Sequence, residues 1–242
     1  MEVELLDYTK DAIEKLIFTK ETRLQGKHTI EDIKEWSDED KNEAIQYMFG
    51  TIQSSFEFVD FTFLISGVSR SFTHQLVRTR GASYAQESMR AVKVSDRGVV
   101  NPSGYALFDI MSGEALDNYD QLLTEGLSIQ DAREILPTGI ETSIIIKINL
   151  REFSRMADVR LCYRASGEYQ EVVKMMKKEV VDIYPELEPM IRVHCARTGM
   201  CCFPNYKKCP IQSHAVVVPQ FRKDNIQQLW LNTDHQADPG IY

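Results

Sequence analysis

The hydrophobic pattern of this 242-residue chain switches repeatedly between strand-like and helix-like periods, and the fold class it predicts is mixed α/β. Three observations carry that prediction. From Phe56 to Ile65 apolar and polar residues alternate and aromatics are frequent, the period-two signature of a strand. From Ser143 to Leu150 a β-branched run predicts another strand. Around them lie segments whose apolar residues recur at three- and four-residue spacing, as in helices with one buried face.

Taken in order, Val3 to Tyr8 reads as an opening strand and Asp11 to Phe18 as a helix. Gly26 to Asp40 is polar and predicts a loop with one helical turn. Asp38 to Gln53 is helical, with Ala44, Ile45, Tyr47, Met48 and Ile52 on one side. In the aromatic strand, Phe56, Phe58, Asp60, Thr62 and Leu64 share one face, while Glu57, Val59, Phe61, Phe63 and Ile65 share the other. Gly67 is expected to end it. Ser69 or Ser71 then caps a helix running to about Arg78, because a hydroxyl there can accept an orphan backbone N–H. On that helix Arg70, His74 and Arg78 fall on one face, with Gln75 one turn before Arg78.

Asp109 to Gly126 predicts a further helix, and Ile129 to Leu136 a shorter one stopped by Pro137. After the Ser143 strand, Arg151 to Arg164 and Glu168 to Tyr184 are helical, broken near Gly167. Residues 1–204 are expected to form a single domain. The polar stretch 205–242, with short apolar runs such as Ala215 to Val218, reads as a C-terminal tail or an oligomer arm.

An apolar fraction of 43% and a charged fraction of 26% are ordinary for a globular protein and exclude disordered and fibrous classes. No apolar run is long enough to span a bilayer, and Met1-Glu2-Val3-Glu4 lacks the basic head of a signal peptide. A cytoplasmic location is the expectation. The net charge of −8 argues against a nucleic-acid polymer as partner, since most of the surface repels phosphates. A small anion in one basic pocket is compatible with it.

Such a pocket is suggested by Arg78-Thr79-Arg80-Gly81-Ala82-Ser83-Tyr84-Ala85-Gln86-Glu87-Ser88-Met89-Arg90. Between Ser69 and Arg90 the four arginines Arg70, Arg78, Arg80 and Arg90 face only Glu87, a local balance of +3. Guanidinium forks grip phosphates and carboxylates in bidentate fashion. Gly81, Ala82 and Ser83 are small enough to let a ligand approach the backbone. A second clue lies after the Ser143 strand. Phe153, Met156 and Ala157 form an apolar stripe into which Arg160 and Arg164 project, whereas Arg151 and Arg155 point away. A guanidinium aimed at a core needs an anion or several acceptors, either a carboxylate such as Glu168 or Asp158 or a bound ligand.

Of the five cysteines, Cys195, Cys201, Cys202 and Cys209 crowd one window and Cys162 lies apart. In a reducing compartment this suggests metal binding, or chance, more than disulfides. Paired C-x-x-C knuckles are lacking. The candidate ligands of a structural zinc are Cys162, Cys195, Cys209 and either Cys201 or Cys202. No base is positioned in the sequence to make one of them a nucleophile.

The chain resembles the flavin-dependent thymidylate synthases. Their signature, Arg-His-Arg, seven residues, then Ser-x-Arg, stands here as Arg78-Thr79-Arg80 and Ser88-Met89-Arg90. Ser69-Arg70-Ser71, His74 and Gln75 also fit. So do Ala132-Arg133-Glu134-Ile135-Leu136-Pro137, Thr142, Asn149-Leu150-Arg151, Arg160 and Glu168. The likeness covers roughly Glu43 to Lys178.

The resemblance implies an α/β fold with a central mixed, largely antiparallel sheet flanked by helices, assembled as a homotetramer with sites between subunits. The implied reaction is reductive methylation of dUMP at C5 to dTMP, with methylenetetrahydrofolate giving the carbon and FAD, reduced by NADPH, doing the redox work. By position, Gln75, Arg78, Gln86, Glu87, Ser88, Met89, Arg90, Arg160 and Arg164 would meet the nucleotide. Arg160 would stabilise negative charge on the uracil. Ser88 is a nucleophile on paper, but without a visible base it reads as a hydrogen-bonding group. FAD contacts would fall on Ser54, Arg78, Thr79, Arg80, Asn149, Arg151 and Arg155.

Several positions depart from the family pattern. Thr79 replaces the central histidine, and Thr51-Ile52-Gln53-Ser54-Ser55-Phe56-Glu57-Phe58 lacks both histidines of the family's G-H-x-S/T-x-x-E-H element. Ser143 stands where an arginine usually reaches the phosphate. Arg155 would offset the lost histidines and Arg164 the missing clamp. These departures keep two alternatives open: the same chemistry on another pyrimidine deoxynucleotide such as dCMP, or a nucleotide- or flavin-binding homologue without turnover.

Overall fold

Four segments, β1 (Glu2–Tyr8), β2 (Asp60–Ser69), β3 (Ala82–Gln86) and β4 (Glu141–Asn149), pair in the order β1-β2-β4-β3, every neighbouring pair antiparallel. This is a computed structural model, and it describes residues 1–51, 53–90, 94, 96–165, 167–203 and 209. The expectations for Ile52 and for the tail 205–242, Cys209 apart, fall outside those residues. In chain order the α-helices are α1 (Ala12–Arg23), α2 (Ile30–Lys34), α3 (Asp38–Thr51), α4 (Arg70–Leu76) and α5 (Ala106–Thr124). There follow α6 (Ile129–Ala132), α7 (Leu150–Arg160), α8 (Gly167–Ile183) and α9 (His194–Thr198). None of the described helices is long and apolar enough to cross a membrane.

The chain divides into two compact units, each made of two separate segments. Met1–Thr9 and Asp60–Asn149 form the first, with the sheet and α4 to α6. Lys10–Val59 with the described residues from Leu150 onward form the second, which is helical.

In the first unit the alternation does what the sequence predicts. Phe61, Phe63 and Ile65 on β2 and Ile144, Ile146 and Ile148 on β4 are buried, while Ile145 is exposed. Each such side chain contributes roughly 1.5–3 kcal/mol on burial. The aromatic strand begins later than expected, however. Gln53–Phe58 is a 3-10 helix, in which Phe56 is fully buried and Phe58 is exposed. Pairing explains the shift: β1 ends with Tyr8 opposite Phe61, so residues before Asp60 have no neighbouring strand to complete a ladder.

Nor does Gly67 end β2. It adopts φ +66, and the register shifts between Ile65 and Val68, where pairing resumes opposite Thr142. It is a bulge glycine, and a Cβ there would lie 2.9 Å from the Met1 nitrogen. A second cluster, Val94, Tyr119 and Ala132 with Met89, Leu122, Leu123 and Leu136, packs α5 against α6.

In the second unit α3 buries Ala44, Ile45 and Met48 as predicted, but Tyr47 is half exposed. Helix α1 runs on to Arg23, past the predicted end. Helix α7 buries Leu150, Phe153, Ser154, Met156 and Ala157 and stops at Arg160 rather than Arg164. Its end is a tight turn, with the Ala165 N–H donating to the Cys162 carbonyl at 2.9 Å.

Candidate active site

Helix α4 and strand β3 frame the basic segment. The Ser69 hydroxyl accepts the Phe72 N–H at 2.9 Å, so the predicted cap is Ser69 and not Ser71. Phe72, Thr73 and Leu76 face inward. The helix closes at Leu76, and the Arg78 N–H donates to the Gln75 carbonyl at 3.2 Å in a final turn. Arg78 therefore lies beyond the helix and does not continue the Arg70–His74 face. The Tyr84 hydroxyl, 2.9 Å from the Leu76 carbonyl and 2.8 Å from that of Thr79, pins this turn to β3.

That strand was not anticipated. Ala82, Tyr84 and Gln86 are half-buried and Ser83 and Ala85 exposed, a real alternation in which Tyr84 is the one strong strand former. The Gln86 side-chain amide donates to Thr73 Oγ1 at 2.7 Å, and Thr73 in turn donates to the Arg70 carbonyl at 3.0 Å. A predicted nucleotide-contacting amide is thus held in a fixed orientation by α4.

Glu87, also predicted to meet the nucleotide, is clasped by both terminal nitrogens of Arg97. Hydrogen bonding to Arg97 outweighs burial and holds the Glu87 carboxyl below its ordinary range, while Arg97 is pushed up by the same contact. The Glu87 N–H donates to the Ser143 carbonyl at 3.2 Å. Sequence reasoning missed Arg97 because the partner of Glu87 comes from a loop with no periodic signal.

Arg70 has a different environment. Burial lowers its pKa, the neighbouring Arg133 guanidinium lowers it further, and its Nη1 reaches the Glu87 carbonyl at a long 3.5 Å. In the same corner of the sheet the buried Thr142 hydroxyl has no hydrogen-bond partner. Arg78, Arg80, Ser88 and Arg90 are exposed, Thr79 and Met89 half-buried. Among the described residues no carboxylate pairs with Arg78, Arg80 or Arg90. Ser88 Oγ accepts the Arg90 N–H at 3.3 Å, and among the described residues no base stands in hydrogen-bond contact with it.

Asn149 closes β4 in this first unit; Ser54, Arg151, Arg155, Arg160 and Arg164 belong to the second. Ser54 sits half-buried in the 3-10 helix. Arg151 pairs with Glu57, yet its Nε is buried and has no hydrogen-bond partner. Arg155 pairs with Glu152 on its own helix. The Arg160 guanidinium lies 4.3 Å over the ring of buried Tyr169, and that of Arg164 lies 4.1 Å over Phe203. The expected carboxylate Asp158 is committed to Arg197, whose Nε stands 2.8 Å from Oδ1. An aromatic face, a partner not foreseen in the sequence, is what receives Arg160.

None of the five cysteines is joined in a disulfide among the described residues. Among the described residues no three His, Cys, Asp or Glu side chains stand in an arrangement that holds a metal ion, so the expected zinc set is not closed as it stands.

The sequence model of the family described as thymidylate synthase complementing protein matches residues 4–186. The chain belongs to this family. A flavin-dependent thymidylate synthase from Pyrococcus furiosus is 32% identical over 215 residues, covering 82% of this chain and 88% of the relative. One from Thermococcus onnurineus is 31% identical over 218 residues, covering 83% and 89%.

The fold of this thymidylate synthase family is also shared by a solved structure. The flavin-dependent thymidylate synthase ThyX from Helicobacter pylori, in complex with FAD and dUMP, superposes with a TM-score of 0.64 at 22% identity. That match covers 77% of this chain and 97% of the other. The chain is therefore an enzyme of the flavin-dependent thymidylate synthase class, and its sheet is antiparallel throughout the described residues.

Proposed function

We propose that this enzyme methylates dUMP reductively at C5 to give dTMP, with FAD as cofactor, methylenetetrahydrofolate as carbon donor and NADPH as reductant. The observation that carries the reading is the arginine set of the first unit: Arg78, Arg80 and Arg90 are exposed and matched by no described carboxylate in an acidic protein. Phosphate-bearing ligands are the chemistry such a set accepts. The names of the relatives and the ligands of the Helicobacter pylori protein agree with it.

The residues present fit FAD. The buried, unpartnered Nε of Arg151 is an orphan donor of the kind an acceptor on a ligand satisfies, and Ser55 Oγ is another in the same unit. By the family resemblance, Ser54, Arg78, Thr79, Arg80, Asn149, Arg151 and Arg155 are the groups that would hold it. When bound, the flavin supplies the hydride and carbon-transfer chemistry that no side chain here performs.

The chain's own residues bind and orient. Gln86, fixed by Thr73, presents its amide oxygen to the base, Ser88 and Arg90 take the polar end of the nucleotide, and Gln75 and Arg78 add donors. Arg160, held over Tyr169, stabilises the negative charge that develops on the uracil as C5 becomes nucleophilic. Assembly as a homotetramer with sites between subunits, and a cytoplasmic location, belong to the same proposal.

The test is tritium release from dUMP labelled at C5, with FAD, NADPH and methylenetetrahydrofolate present. Yellow protein and folate-dependent release are expected. Protein that stays colourless with FAD and releases no tritium overturns the proposal, and preferential release from labelled dCMP moves it to that nucleotide.

A further inference from the structure

The chain leaves the edge of β4 at Glu87 and comes back to the same edge at Gly98. The Glu87 N–H donates to the Ser143 carbonyl at 3.2 Å, one step beyond the last β3 pair, Gln86 opposite Ile144. On the return, the Glu141 N–H donates to the Gly98 carbonyl at 3.0 Å and the Val100 N–H to the Gly139 carbonyl at 2.8 Å, while Val99 bridges Ile140. Ser88 and Arg90 lie on the excursion between these anchor points.

Its base is closed by a side-chain clasp. Both terminal nitrogens of Arg97 hold the Glu87 carboxylate, and Nη1 also reaches the Glu141 carbonyl at 3.4 Å. The Arg97 N–H donates to the Val94 carbonyl at 3.1 Å. Met89 and Val94 pack with Tyr119 and Ala132, so α5 and α6 hold the apolar residues of the excursion. Ser88 and Arg90 flank Met89 and are themselves exposed.

Glu87 is the only carboxylate between Ser69 and Arg90. Left free beside Ser88 and Arg90, it would repel a phosphate and compete for the Arg90 guanidinium. In the clasp its charge is met by Arg97, and the only other charged group near it is Arg70, which faces its backbone carbonyl at 3.5 Å, among the described residues. Arg97 in turn also feels the charge of Glu141.

We propose, on the reading of dUMP as substrate, that Glu87 and Arg97 are positioning residues for the nucleotide. Their clasp fixes the segment that presents Ser88 and Arg90, and it cancels the one carboxylate that would oppose the phosphate. Neither residue touches the ligand; both act through their neighbours. Glu87→Gln and Arg97→Gln both open the clasp, yet they leave opposite charges behind. The first leaves a guanidinium in the field of Glu141, and the second leaves a bare carboxylate beside the groups that take the phosphate.

Calorimetric titration of the FAD-loaded full chain with dUMP reads the difference. Glu87→Gln is expected to weaken dUMP on the order of tenfold, and Arg97→Gln on the order of a hundredfold. Adding Glu87→Gln to Arg97→Gln should restore the tenfold level, a recovery that loss of structure alone does not give. The KM for dUMP should rise in step while kcat at saturation stays within about twofold, the mark of lost uniform binding. FAD affinity is expected to hold. Arg97→Lys, which keeps the charge and loses the fork, is the milder probe and should bind dUMP no worse than Glu87→Gln. Unchanged dUMP affinity in Arg97→Gln, no recovery in the double variant, or FAD lost in parallel with dUMP overturns the clasp and leaves the dUMP reading intact. A parent that takes up FAD and binds no dUMP sinks that reading, and the clasp's role with it.

Discussion

The Arg160 guanidinium stands 4.3 Å from the ring centroid of Tyr169, a side chain with no exposed surface. The ring face holds a cation at the end of α7 without neutralising it, so its charge stays available to a substrate. Tyr169→Phe keeps that face and loses the hydroxyl contact to the Met156 sulfur at 3.6 Å. It is expected to unfold in urea within ~1.5 kcal/mol of the parent and to keep its turnover. Tyr169→Ala should cost about 3–5 kcal/mol. Arg160→Met should leave stability nearly unchanged and lower kcat by on the order of 10²-fold.

The Glu87–Arg97 pair sets an acid limit. The folded-state pKa of Glu87 is depressed, chiefly by hydrogen bonding to Arg97, so the pair stabilises the fold above the pKa of an unfolded glutamate. That contribution is lost as pH falls through the lower, folded value. Melting curves taken from neutral pH downward should show the parent losing its advantage over Glu87→Gln below the ordinary carboxylate range. An advantage that persists there, or none at neutral pH, contradicts this account.

Arg70 carries strain of the opposite sign. Burial and Arg133 both oppose its charge. Arg70→Met is therefore expected to raise the melting temperature of the ligand-free protein by on the order of 2 °C. The same change should weaken dUMP about tenfold in a flavin-absorbance titration, since a desolvated guanidinium is best compensated by an anion. A variant less stable and equally tight would refute both halves.

Gly67→Ala tests the bulge in β2. At φ +66, with the new Cβ only 2.9 Å from the Met1 nitrogen, it should destabilise by ~1 kcal/mol or more in urea unfolding. Gly50→Ala, a helical position with open space around it, should not destabilise.

What could be read in the sequence was local. The period of β2 and β4, the stripe on α7 and the Ser69 cap depend on neighbours within a few residues, and all are seen. What escaped depends on pairing or on distant side chains. Among the described residues β3 has β4 as its strand partner, and β2 starts where β1 allows it. The same limit applied to the site. The signature Arg78-Thr79-Arg80 to Ser88-Met89-Arg90 pointed to the basic segment, but neither Arg97 as the partner of Glu87 nor Tyr169 beneath Arg160 leaves a trace in spacing.

Because each unit is assembled from two stretches of chain, order of synthesis matters. Residues 10–59 leave the ribosome before α7 and α8 exist, and β1 must wait for β2 across the whole of that insertion. Neither half is separable by a single cut, so a nascent chain halted at residue 149 would own a finished sheet and an orphaned set of helices with bare apolar faces. Such a protein completes its second unit last, and is most exposed to aggregation while translation is unfinished.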